Sequence, residues 1–212
     1  MMKKRLGWKV CVGVWLVLIC VVAWRLRIDV LVAYAFCNKK EGDLLFQVLP
    51  HDELSDAIEG VTGSYWTHCG ILVWEDGRWQ VAEALGYVRY TPLWTWVFRG
   101  RSGRLAVCRV HGLNAAQWPK AAEQILLFLG AEYDIHYAPD DSAIYCSELI
   151  YKVFDRALGI QLGKWERLGD LNWQPYEALI RRMEKGELPL DREMVTPVSV
   201  LNSERVDRIF TW

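Results

Sequence analysis

The chain has 212 residues, enough for one substantial hydrophobic core and short of two. Its net charge of −1, from 25 basic and 26 acidic residues, leaves no basic excess for phosphates and argues against nucleic acid as a partner. A hydrophobic fraction of 52% excludes disorder, and six scattered cysteines without a C-x-x-C pair argue against a disulfide scaffold, a zinc ribbon or a thioredoxin-type site.

At the N-terminus, Lys3, Lys4, Arg5 and Lys9 lead into Val10–Trp24, a run without charge. Trp8 to Leu26, with Lys9 and Arg25 snorkelling outward, would make a helix of about 28 Å at ~1.5 Å per residue, close to the hydrocarbon thickness. Trp8 and Trp24 then fall at the two interfaces. Residues 1–26 are expected to form an uncleaved signal anchor, a transmembrane helix. The basic lead then places the rest of the chain outside the cytoplasm, in a bacterial envelope. The alternative is a cleaved signal peptide with its A-x-A-like site in Val32-Ala33-Tyr34-Ala35, which would release the protein into the periplasm. Arg25, Arg27 and Asp29 separate that site from the apolar run, which disfavours cleavage.

Residues 27–41 read as a linker, and residues 42–212 as the folded domain. Leu44–Val48 is a short apolar strand, and 50–65 a polar loop with one helical turn. Tyr65–Trp74 and Trp79–Leu85 form a hairpin about the Asp76-Gly77 turn signal. Leu105–Val110 is a further strand. Helices are expected over 114–129, with Asn114 and Gln117 as a capping box and Gly130 as the stop, over 146–158, closed by Gly159, and over 175–185. Strands and helices do not alternate strictly, so an α+β fold is favoured over a parallel doubly wound sheet.

His68 is a polar ring inside an apolar strand. With Asp76-Gly77 as the turn, paired positions sum to 153. Glu83 then shares a sheet face with His68 at diagonal range, an inference that a one-residue slip would destroy. Cys69 points to the other face and reads as a small buried hydrophobe. Cys146 opens a helix whose inward stripe is Leu149, Ile150, Val153, Phe154 and Ala157. A thiol there feels the partial positive charge of the helix start, which favours thiolate, and the free N–H groups suit an oxyanion. Cys146, His68 and Glu83 thus have the makings of nucleophile, base and orienter. Each also has an ordinary structural reading: a buried cysteine, a hydrogen-bonded core histidine and a solvated strand glutamate. His51, His111 and His136 fall in loops or at segment ends. A metal site from His68, Cys69 and Cys146 is disfavoured because adjacent strand residues point opposite ways.

Five segments occur in order: Gly42-Asp43-Leu44-Leu45-Phe46-Gln47, Thr67-His68-Cys69-Gly70-Ile71-Leu72, Ala82-Glu83-Ala84, Gly130-Ala131-Glu132-Tyr133-Asp134 and Tyr145-Cys146-Ser147-Glu148-Leu149-Ile150-Tyr151. Over roughly residues 42–160 they resemble the YiiX/YebB-like cysteine hydrolases. That family is a circularly permuted branch of the NlpC-type papain-like superfamily, related to lecithin retinol acyltransferases. The resemblance implies an antiparallel sheet packed against helices, with the catalytic histidine ahead of the cysteine in sequence. It implies Cys146 as nucleophile, His68 as general base and Glu83 as orienter, with Tyr145 or Tyr133 lining the oxyanion site. No metal or organic cofactor is implied. Cys69 stands where such a family would carry Val or Ile.

The function expected is a thiol amidase or peptidase acting on a small peptide-like amide, with cell-wall peptides among the candidates. A thiol acyltransferase or lipid hydrolase working at the membrane is the alternative, and a non-catalytic binding module the third. The aromatic stretch Tyr87–Phe98 either walls an acyl groove or covers the core. A Cys69–Cys108 disulfide is left open.

Overall fold

In the computed structural model the chain divides into two compact units, Met1–Cys37 and Asn38–Trp212. The structure describes residues 2–25, 28–35, 37–138 and 140–212; within residues 2–37, side chains are described for 11–22, 30, 33–35 and 37. The first unit holds α1 (Met2–Arg25) and α2 (Ile28–Ala35), the latter lying in the stretch expected to be a linker. Among the described residues, no helix is long and apolar enough to cross a membrane. The transmembrane anchor expected over 1–26 therefore finds no support. Part of that expectation, including the side chains of Trp8 and Trp24, lies outside the described residues.

The second unit is α+β. Its elements in chain order are β1 (Leu44–Gln47), α3 (Glu53–Thr62), β2 (His68–Glu75), β3 (Arg78–Leu85), β4 (Tyr87–Pro92), α4 (Leu93–Arg99) and β5 (Leu105–Val110). There follow α5 (Trp118–Phe128), β6 (Glu132–Tyr133), β7 (Ala143–Ile144), α6 (Cys146–Leu158), β8 (Trp165–Arg167), α7 (Glu177–Glu184), β9 (Glu193–Val195), α8 (Pro197–Leu201) and β10 (Val206–Thr211). Eight strands form one sheet in the order β10-β5-β1-β2-β3-β4-β6-β7, antiparallel except for the parallel β6–β7 pair. β8 and β9 pair separately.

Alternation along the strands sorts the sheet into two faces. Phe46, Cys69, Ile71, Ala82, Ala84 and Cys108 join α5 and α6 in one buried cluster. His68 and Glu83 fall on the opposite set of positions, where Trp96 of α4 stacks 6.0 Å from the His68 ring. The β2–β3 hairpin has the expected register, with Ile71 opposite Ala82. Asp76 and Gly77 both take positive φ, 52° and 71°, as a two-residue hairpin turn requires.

Residues 53–62, expected in a loop, form the ten-residue helix α3. Asp52 accepts the Ser55 N–H at 2.7 Å as its N-cap, and Gly63 ends it in the left-handed region. The aromatic stretch Tyr87–Phe98 splits into β4 and α4, with Pro92 at the junction. Trp96 and Val97 are buried while Trp94 is exposed, so the stretch covers the core. The helix proper runs from Trp118, and the expected capping box stands before it: Asn114 Oδ1 accepts the Gln117 N–H at 3.1 Å, and Gln117 Oε1 accepts the Asn114 N–H at 3.3 Å.

Cys69 and Cys108 are both free thiols. Cys69 lies opposite Phe46, and Cys108 opposite Leu44 on the far side of β1. Two strand spacings of ~4.8 Å separate them, beyond the reach of a disulfide.

Candidate active site

Cys146 is the first residue of α6 and is 2% exposed. Tyr145 precedes it in extended conformation, and Glu148 reaches back to accept the Tyr145 N–H, closing a capping box. The burial of Leu149, Ile150, Val153 and Phe154 presses the helix onto the sheet. That packing sets Cys146 beside the first two residues of β2, where its thiol interacts with both His68 and Cys69.

His68 Nε2 lies 2.6 Å from Glu83 Oε2, which leaves Nδ1 as the nitrogen available to the thiol. Glu83 is wholly buried. Gly70, between the two in space, has no room for a side chain: a Cβ there would sit 2.5 Å from Val81 and 2.8 Å from the Ala82 carbonyl. The remaining lone pairs of Glu83 are filled. Thr91 Oγ1 donates to Oε1 at 2.6 Å, and Arg99 donates to Oε1 at 3.0 Å and to Oε2 at 2.6 Å. A buried carboxylate is tolerable only with such complete pairing.

These contacts set the protonation states. Burial pushes the Glu83 carboxyl up, but His68 and then Arg99 outweigh it and hold the group far below the usual carboxylate range. Burial opposes charge on His68, yet Cys146 and Glu83 raise its pKa to about 9. The hydrogen bond from Cys69, opposed by burial and joined by His68, holds Cys146 well below an ordinary thiol. Burial and Cys146 push Cys69 well above one. These shifts favour a resting state with charge on the Cys146 sulfur, the His68 ring and the Glu83 carboxylate, beside the Arg99 guanidinium.

The two tyrosines singled out as oxyanion residues differ. Tyr145 Oη accepts the Val195 N–H at 3.0 Å, which ties it to β9. Tyr133 Oη lies 3.4 Å from Tyr137 Oη, and its pKa is driven well up by burial, by Tyr137 and by the charge of Cys146. Tyr137 was not anticipated. Neither were Thr91 and Arg99, although the Leu85-Gly86-Tyr87 turn could have placed Thr91 near Glu83. His51 and His136 form exposed pairs with Asp56 and Glu184, and His111 with Asp207.

Cys146 and Ser147 line a cavity of about 90 Å³. Its walls are mainly apolar, from Ala57 and Ile58 of α3, Ile180 and Met183 of α7, and Met194 of β9. Glu184 and Arg192 also line it, as a mutual ion pair.

A cysteine at a helix start beside a strand histidine that precedes it in sequence is the arrangement that the resemblance implied. The model of the permuted papain-like amidases, YaeF/YiiX, C92 family, matches residues 38–210. The chain belongs to this family. It is 32% identical over 180 residues to the uncharacterized protein YiiX of Escherichia coli K12, covering 81% of this chain and 89% of that one. The crystal structure of yiiX from Escherichia coli O157:H7, described as a metalloprotein, superposes with a TM-score of 0.78 at 31% identity. It covers 83% of this chain and 99% of that one. Membership in the permuted papain-like amidases makes a cysteine hydrolase of amidase type the coarse function.

Proposed function

We propose that the chain hydrolyses amides through an acyl-enzyme on Cys146, with His68 as acid and base and Glu83 as its orienter. The observation that carries the reading is the buried hydrogen bond, 2.6 Å, that fixes His68 beside a thiol at the start of a helix. In the first step the Cys146 thiolate attacks the carbonyl carbon, and the α6 N–H groups face the oxygen that gains charge. The His68 imidazolium then gives its proton to the departing amine, leaving the acyl group on sulfur. A water that loses its proton to the now neutral His68 attacks the thioester, and expulsion of Cys146 thiolate restores the resting state.

The cavity bears on the substrate. Its walls select an apolar group beside the scissile carbonyl, and about 90 Å³ is small against the ~300 Å³ or more of a drug-sized site. An aliphatic side chain of a peptide-like amide, or a short acyl group, fits that volume better than a whole lipid tail. An amide with a short apolar group therefore stands ahead of a substrate with a long lipid tail. Among the described residues no group of three or more His, Cys, Asp or Glu has the arrangement to hold a metal ion.

The test is turnover of a panel of peptidoglycan peptides and short N-acyl amides by wild type and Cys146→Ala. Thioester-dependent cleavage, trapped as an acyl adduct on Cys146 and absent in the variant, supports the reading. Full turnover by Cys146→Ala overturns it. A thiol that alkylates equally slowly in wild type and His68→Ala would favour a non-catalytic binding module.

A further inference from the structure

Cys69 takes no part in the hydrolytic steps beyond its hydrogen bond to the Cys146 thiolate. It is fully buried on the α6 face of β2, in the same cluster as Cys146, and its side chain and backbone are both partners of the Cys146 thiol. The two residues are 77 positions apart and come together only through the packing of α6 across the start of β2. The structure thus sets a second thiol against the reactive one, and Cys108 is too far off to compete for it.

We propose that Cys69 and Cys146 form a reversible disulfide when a hydroperoxide reaches the cavity. Cys146 lines that cavity and Cys69 does not, so Cys146 is the sulfur oxidised first. Its thiolate attacks the nearer peroxide oxygen, the O–O bond breaks, and Cys146 becomes a sulfenic acid while hydroxide or an alkoxide leaves. The Cys69 sulfur then attacks the sulfenic sulfur. An S–S bond forms and the S–O bond breaks, the Cys69 proton joins the departing hydroxide, and water is released. The two thiols have lost two electrons in all, and the hydroperoxide has gained them. Two electrons from an external dithiol reverse the change.

The consequence is protection. A lone sulfenic acid exposed to further peroxide climbs to sulfinic and sulfonic acids, which a dithiol does not reduce. Capture by Cys69 stops that climb and blocks the sulfur until reductant returns. Formation of the bond rests on the placement of the two cysteines alone; the loss of hydrolysis that accompanies it rests on the function proposed above.

The experiment treats the reduced full chain with hydrogen peroxide and follows intact mass, peptide maps and the rate of iodoacetamide alkylation at Cys146. No substrate is needed, so the result stands apart from the amidase reading. Wild type is expected to lose two hydrogens, to yield a linked Cys69–Cys146 peptide, and to alkylate roughly tenfold more slowly or less until a dithiol restores it. Cys69→Ala and Cys69→Val are expected to gain oxygen at Cys146 instead, with recovery incomplete. A wild-type map with no Cys69–Cys146 peptide overturns the proposal, as does equal recovery of wild type and both variants.

Discussion

Arg99 grips both carboxylate oxygens of Glu83, at 3.0 and 2.6 Å, and Glu83 is itself completely buried. The glutamate therefore stands among three cationic groups, the His68 ring, the Arg99 guanidinium and, at 3.7 Å, Arg89, which together hold it ionised. In the mechanism proposed above, its service to His68 is orientation and charge.

Removing Arg99 tests that dependence. Arg99→Met leaves a buried carboxylate short of its main partner and should destabilise the fold by about 3 kcal/mol. Arg99→Lys should recover only part of this, because an ammonium does not make the two parallel bonds. Urea unfolding of the three proteins measures the effect; equal stability of Arg99→Met and wild type would show that the pair contributes little.

The proposed mechanism gives His68 and Glu83 an order of importance. His68→Ala should lower kcat/KM by about a hundredfold or more, the usual range for a general base. Glu83→Gln should cost less, roughly tenfold, since the amide still accepts the Nε2 proton while losing the charge. A Glu83→Gln loss equal to or above that of His68→Ala would reverse the two roles.

The pH dependence follows from the sign of each shift. The His68 pKa is raised to about 9, so the imidazolium that the proposed mechanism uses to protonate the leaving amine is present below that value and is lost above it. Amide turnover should fall as pH rises through about 9, while Cys146 alkylation, which needs thiolate only, should not. Glu83→Gln removes a group that raises the His68 pKa, so the alkaline fall should move to lower pH. An unmoved limb would assign it to another group.

Ile180 of α7 probes the cavity without touching the sulfur chemistry. It is half-buried and lines the same space as Cys146. Ile180→Asp should raise KM for amides with an aliphatic group by about tenfold, the worth of a few buried methylenes, with Cys146 alkylation unchanged. Unaltered KM would place the substrate elsewhere.

Cys146, His68 and Glu83 were visible along the chain because each belongs to a local pattern with a fixed period. The Asp76-Gly77 turn dictates the hairpin register, and hence that His68 and Glu83 share a face. Gly159 and the apolar stripe delimit α6, and so put Cys146 at its start. Local rules of that kind say nothing about what lies across a gap. The pairing of Arg99 with Glu83 depends on how α4 folds back over the sheet, and the meeting of Cys69 with Cys146 on how α6 crosses a strand end. The cavity needs α3, α7 and β9 from three distant parts of the chain. Periodicity is a property of neighbours in sequence, whereas these contacts are chosen by the packing of whole elements, in which many weak burial terms are minimised together. The chain alone determined which chemical groups were on offer and on which face each would stand; the tertiary packing decided which charges they meet and what space lies before the sulfur.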